Sequence, residues 1–144
     1  MKRCTSADAP GWLDLRLALW PASREEHLAE MALMAANPQR FAAFIAHAST
    51  GAALGLAEAA IRTDYVNGAQ SSPVGFLEGL YVVPHARRNG LARALVAEIA
   101  HWARDCRCSE MASDAALANF ASHAVHRALG FEETERVVFF RKQL

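Results

Sequence analysis

Apolar positions along this chain change period several times, and each change marks a predicted element. Trp12, Leu15 and Leu19 recur at helical spacing, with Ser6 or Asp8 as the candidate cap. The helix must stop before Pro21, because the residue preceding a proline avoids the α region. Ser23 with Glu26 forms a capping box for a second helix, whose apolar face is Leu28, Met31, Met34 and Ala35 until Asn37-Pro38 ends it. Phe41 to Ala48 and Ala53 to Arg62 read as strands joined at Ser49-Thr50-Gly51, and the polar stretch Thr63 to Ser72 reads as a loop. Val74 to Val83 is the most apolar run, glycine-broken and stopped by Pro84, so it is predicted as a buried strand whose one charge is Glu78. From Gly90 the period is helical again, with Leu91, Leu95, Ile99 and Trp102 on one side. A short strand near Ser109 to Ser113 follows, then a helix over Asn119 to Leu129 closed by Gly130, then a last strand over Glu132 to Lys142 around Val137-Val138-Phe139-Phe140. This alternation predicts a mixed α/β (α+β) fold.

Composition narrows the picture. The 144 residues suit a single domain spanning 1–144, and 53% hydrophobic with 21% charged residues gives it material for a core. Fifteen Lys and Arg balance fifteen Asp and Glu, which speaks against nucleic acid, whose binding relies on excess positive charge. The opening Met1 to Pro10 has no apolar leader segment, and nowhere do about 18 apolar residues run together, so neither export nor a membrane is expected. A cytoplasmic protein is expected instead. Cys4, Cys106 and Cys108 are too few and too odd in number for a disulfide framework and are expected as thiols.

Arg87-Arg88-Asn89-Gly90-Leu91-Ala92 joins the most apolar strand to the helix after it. Backbone N–H groups and the positive end of a helix dipole converge there, so an anion is expected, with Arg87, Arg88 and Arg93 around it. A solvated Arg-rich turn is the plain alternative. Neither a P-loop nor a dinucleotide fingerprint occurs in the chain.

The segment Leu80 through Pro84 to Ala92, with its R-x-x-G-x-A core, resembles the acetyl-CoA loop of the GNAT superfamily of N-acetyltransferases, and Asn119 and Leu129-Gly130-Phe131 fit the same superfamily. Trp20-Pro21, Asp64 to Gly68, Ser71-Ser72-Pro73, Phe76 to Gly79, Glu110 to Asp114 and Gly130 to Arg136 look like the aminoglycoside 6′-N-acetyltransferases, in order along nearly the whole chain. The resemblance implies a GNAT fold, a twisted mixed central sheet flanked by helices and splayed to admit acetyl-CoA. Leu80, Tyr81, Val82, Arg88, Asn89, Gly90, Leu91, Ala92, Arg93 and Asn119 would then bind that co-substrate, and a homodimer is common.

A carboxylate in a buried strand needs a partner, so Glu78 calls for a cationic ligand or for a structural ion pair with an arginine such as Arg62. Asp114 has a helix cap as its plain alternative, and Glu135 would otherwise pass as solvated. By resemblance, Trp20, Tyr65, Glu78, Asp114 and Glu135 line the aminoglycoside site, with Trp20 stacking near a cation. An amine attacks a thioester only when unprotonated, so Glu78 or Asp114 is expected to remove its proton in a ternary complex, and a backbone N–H of Leu80 to Val82 to polarise the carbonyl. Two positions depart from the family pattern. His126 replaces the tyrosine that serves many GNAT enzymes as general acid for the leaving thiolate; it is either that acid or an ordinary helix histidine. Ser23 replaces a histidine near the substrate.

No spacing of the six histidines and three cysteines matches a metal site, so no metal is expected. Two other readings stay open: a GNAT enzyme for another small amine, polyamine or protein N-terminus, and an acetyl-CoA-binding module without turnover. The Val137 to Phe140 strand is expected to add to a partner's sheet in a homodimer.

Overall fold

The computed structural model describes residues 1–144. Its elements in chain order are β1 (Lys2–Arg3), α1 (Trp12–Leu19), α2 (Arg24–Ala36), β2 (Phe41–His47), β3 (Ala53–Arg62), β4 (Val74–Val82), α3 (Leu91–Asp105), β5 (Glu110–Ser113) and α4 (Phe120–Ala128). The five strands form one sheet in the order β1-β2-β3-β4-β5, antiparallel except for the parallel β4–β5 pair.

Both faces of this sheet are covered, which is why β2 and β3 are apolar at successive positions rather than alternating. On one face Ala42, Phe44 and Ala46 of β2 pack with Leu95, Val96, Ile99, Trp102 and Ala103 of α3. On the other, Ala43, Ile45 and Leu56 meet Trp12 and Leu15 of α1 and Met31 of α2. The α+β architecture expected from the alternation of periods is the one observed. No helix is long and apolar enough to cross a membrane.

Local chemistry explains where the expectations fail. Neither Ser6 nor Asp8 caps α1: the Ser6 hydroxyl bonds the Asp8 carboxylate, and the helix starts from Gly11 without a side-chain cap. The α2 capping box is present, with Glu26 N donating to Ser23 Oγ at 3.2 Å and Ser23 N to Glu26 Oε2 at 2.8 Å. Its buried residues are His27 and Met31, while Leu28 turns outward, because His27 is bonded inside the fold. The predicted strand over Glu132 to Lys142 is absent. The segment pairs with no strand of its own chain, leaving Phe139 and Phe140 86% and 94% exposed. High strand propensity without a ladder partner does not make a strand.

Two features of β4 distinguish its two halves. Glu58 of β3 stands opposite Gly79 and Ala59 opposite Leu77, so Glu78 is an extra, bulged residue. Pairing with β5 ends at Leu77 with Ser113, so β4 continues through Val82 with no strand on that side.

Candidate active site

The open edge of β4 leads directly into the Arg-rich loop. After a single 3₁₀ turn, Pro84–Ala86, the Arg87 guanidinium returns to donate to Val82 O at 2.9 Å. Arg88 and Gly90 both take positive φ, 62° and 79°, and lead into α3, whose first-turn N–H groups have no partner within the helix. A Cβ on Gly90 would meet nothing within 4 Å, so the space in front of this turn is open. Exposed Arg88 and Asn89 flank it. A strand edge without a neighbour followed by a bare helix N-terminus suits an extended acyl carrier ending in phosphates. Two residues expected here have other bonds: Arg93 donates to Ala128 O at 2.9 Å at the end of α4, and Asn119 Oδ1 caps α4 by accepting from Ser122 N at 3.1 Å.

Glu78 is not the buried carboxylate that its strand suggested. The bulge turns it to the surface, 36% exposed, where Arg62 Nη2 lies 2.9 and 3.1 Å from its two oxygens. Arg62 in turn sits 3.5 Å above the Phe76 ring. The Arg62 pair offered as the plain alternative for Glu78 is therefore real, yet it leaves the carboxylate facing solvent. With Asp64 it borders a groove of about 700 Å³.

Trp20 lies against Gly79, where any side chain would collide with its indole. Arg16 stacks 5.0 Å from the centre of that ring. His27 joins the two: Nδ1 accepts from Arg16 Nε at 3.1 Å, and Nε2 therefore carries the hydrogen that it gives to Trp20 O at 3.2 Å. Asp114 follows directly on the last paired residue of β5, is exposed, and caps no helix, since Asn119 does. The structure thus gathers Trp20, Glu78 and Asp114 around the point where β4 and β5 part. Tyr65 is 77% exposed on the 63–72 loop, and Asn67 of that loop donates to Glu135 Oε2 at 3.1 Å. Ser23 spends its hydroxyl on the capping box.

His126 is held on four sides. Gly130, at φ 92°, lets Phe131 N bond His126 O at 3.0 Å and Gly130 N bond Arg127 O at 3.1 Å, a Schellman ending that lays the Phe131 ring edge-on to the imidazole at 5.3 Å. The imidazole Nδ1 is 2.8 Å from Ser122 O, and Nε2 is 2.9 Å from Ser113 Oγ.

Sequence reasoning missed the buried cluster behind Trp20. Glu58 lies in the core, accepting from Trp12 Nε1 at 2.5 Å and pairing with Arg16 at 2.8 Å; Arg16 also reaches Glu30. Burial pushes the Glu58 carboxyl up from its ordinary value, against the opposing pull of Arg16 and Trp12. A lone Glu amid the small apolar residues of Ala53 to Ile61, and an Arg on the inner side of the first helix, were the available signals. Burial, with Glu58 nearby, likewise pushes the Cys4 thiol up to about 12. No group of three or more His, Cys, Asp or Glu side chains comes together to hold a metal.

The family model described as acetyltransferase (GNAT) matches residues 9–131. An aminoglycoside N(6′)-acetyltransferase type 1 of Serratia marcescens is 51% identical over 142 residues, covering 98% of this chain and 97% of its own. The apo crystal structure of an aminoglycoside 6′-N-acetyltransferase from Acinetobacter haemolyticus superposes with a TM-score of 0.93 at 46% identity, covering 99% of this chain and 97% of that one. A second solved structure holds a bisubstrate analogue, CoA-S-monomethyl-acetylneamine; it is similar at TM-score 0.88 and 48% identity, over 92% of this chain and 90% of that one.

Proposed function

The chain belongs to the acetyltransferase (GNAT) family, and from that premise we propose that it transfers the acetyl group of acetyl-CoA to the 6′-amine of aminoglycoside antibiotics and so confers resistance to them. One observation carries the acceptor assignment. The bulge sets the Glu78 carboxylate beside the opening between β4 and β5, with Trp20 packed over the adjacent Gly79 and Asp114 at the end of the facing strand. A polyamine is bound by carboxylates and an aromatic face, and a site that only held acetyl-CoA has no use for them.

Acetyl-CoA supplies the activated acyl group. Leu80, Tyr81 and Val82 offer the unpaired strand edge for its pantetheine arm, and Arg88, Asn89, Gly90, Leu91 and Ala92 the anion site at the start of α3. Arg93 and Asn119 act there indirectly, Arg93 by tying α3 to the end of α4 and Asn119 by capping the start of α4. Glu78 or Asp114 holds the ammonium and takes its proton, so that the free amine attacks directly in a ternary complex. Glu135, bonded by Asn67, and Tyr65 on the same 63–72 loop as Asn67 close the far side over the drug, and Ser23 borders it at the start of α2. His126 donates the proton that the departing thiolate needs.

One domain of residues 1–144 carries the whole reaction. We assign it to the cytoplasm, a reading that the three unpaired thiols support. It works as a homodimer, supported by the unpaired apolar segment after Phe131 and the free outer edge of β5.

The test is thiol release from acetyl-CoA in the presence of kanamycin, tobramycin and a tobramycin-like compound without the 6′-amine. Turnover with the first two alone is the expected result. No turnover with any of them, alongside acetyl-CoA binding, would move the acceptor to another amine.

A further inference from the structure

We propose that the hydroxyl of Ser113 is a proton relay, carrying the proton of His126 to the thiolate released from acetyl-CoA. The inference rests on the acetyltransferase reading and adds a residue that the sequence patterns did not single out.

Ser113 occupies the last rung of the β4–β5 ladder, opposite Leu77, and its hydroxyl donates to Leu77 O at 3.0 Å. The next residue of β4 is the bulged Glu78. The Ser113 oxygen therefore lies at the apex of the opening in which donor and acceptor must meet. Behind it stands His126, with Nε2 at 2.9 Å, so in the doubly protonated ring the Nε2 hydrogen points at the serine oxygen and the hydroxyl is its way to the opening.

The other ring nitrogen is provided for in either protonation state. Ser122 presents to Nδ1 both a carbonyl oxygen at 2.8 Å and a hydroxyl at 3.2 Å. The carbonyl accepts when Nδ1 carries a hydrogen, and the hydroxyl donates when it does not. Phe131 holds the ring plane through the change. The imidazole can thus gain and lose a proton without turning, as a proton donor that must be recharged on every cycle requires.

In the transfer step the amine lone pair forms the C–N bond, the C–S bond breaks, and its electron pair stays on sulfur. The Ser113 hydroxyl turns from Leu77 O to that sulfur and gives it the O–H proton, while the Nε2 proton of the His126 imidazolium replaces it. His126 is left neutral, with its remaining hydrogen on Nδ1 directed to Ser122 O. The amine's own proton leaves through Glu78 or Asp114, and solvent reprotonates His126.

Three variants test this: Ser113→Ala, Ser113→Thr and His126→Asn, each in single-turnover acetylation of tobramycin and in ¹⁵N–¹H spectra of the protein without substrates. Ser113→Ala is expected to slow acetyl transfer about 10²-fold, with KM for both substrates unchanged. Ser113→Thr, which keeps the hydroxyl, restores the rate. The His126 Nε2–H signal is expected in the wild type and in Ser113→Thr, and lost to solvent exchange in Ser113→Ala, while the Nδ1–H signal held by Ser122 O persists in all three. A Ser113→Ala enzyme at wild-type rate beside a slow His126→Asn enzyme would overturn the relay while leaving His126 as the acid. Ser113→Thr as slow as Ser113→Ala would also overturn it, since the hydroxyl would then not be what matters. Failure of the parent reading looks different: the wild type itself would not acetylate tobramycin, and the relay would fall with it.

Discussion

Arg16 Nη1 stands 2.8 Å from Glu58 Oε2 in the core, and neither side chain is more than 4% exposed. Desolvation works against such a pair, and what holds it is that each remaining valence is filled: Trp12 on the second oxygen of Glu58, His27 and Glu30 on the other nitrogens of Arg16. Removing one partner strands the other. Glu58→Gln or Arg16→Met is expected to cost about 3–5 kcal/mol in chemical denaturation. The double variant should lose clearly less than the sum, and strictly additive losses would show that the two are not coupled.

That cluster reaches the site through Trp20, whose ring lies between Arg16 and Gly79. Gly79→Ala places a methyl where the indole now sits and must displace it. The expected result is a loss of kcat/KM toward aminoglycosides on the order of ten- to a hundred-fold, with KM for acetyl-CoA unchanged. An equal rise in both KM values would mean that β4 itself had moved.

Glu78→Gln keeps the shape of the bulge and a hydrogen bond to Arg62 but removes the charge. Turnover is expected to fall about 10²-fold, with acetyl-CoA binding retained in calorimetry. Full turnover with an unaltered pH profile would exclude Glu78 as the base and leave Asp114.

The period changes in the sequence located every α-helix and every strand longer than two residues, because burial of apolar faces is a local pattern, and added one strand, over Glu132 to Lys142, that the fold does not contain. The site was less legible. Glu78 was visible as a lone charge in an apolar strand, but its exposure comes from a register shift against β3, and a one-residue bulge leaves no mark on β4 alone. Ser113 looks like any strand-end serine until the parallel pairing with β4 sets it beside Leu77 and α4 brings His126 to it. The Arg16–His27–Glu58 cluster joins three separate elements, so no window of sequence contains it.

Acid should loosen the loop that carries Tyr65. Glu110, at the start of β5, accepts hydrogen bonds from the Ser71 hydroxyl and from Gln70 N at 3.0 Å, and the Ser71 bond above all holds its carboxyl below the ordinary value. A carboxyl lowered in the folded state stabilises that state above its unfolded value, and the contribution is lost as pH falls through the lowered one. Hydrogen-exchange protection at Gln70 is expected to be steady near neutrality and to drop in that acidic window. In Glu110→Gln the protection should be weaker at neutral pH and lose its dependence on acid.

The segment after Phe131 sets a final expectation. Val138, Phe139 and Phe140 are more than 70% exposed, a costly arrangement for adjacent large apolar side chains in water. β5, only four residues long, is left at the sheet edge with its outer backbone groups unpaired. An apolar segment of high strand propensity and an open edge satisfy each other, and since the chain does not join them within itself, a second copy is the partner that always has both. The wild type should sediment at twice the 15.7 kDa of one chain at micromolar concentration. Deleting residues 137–144 should give the single-chain mass and expose the β5 edge to hydrogen exchange. If the shortened protein still sediments as a pair, the two copies meet through some other surface.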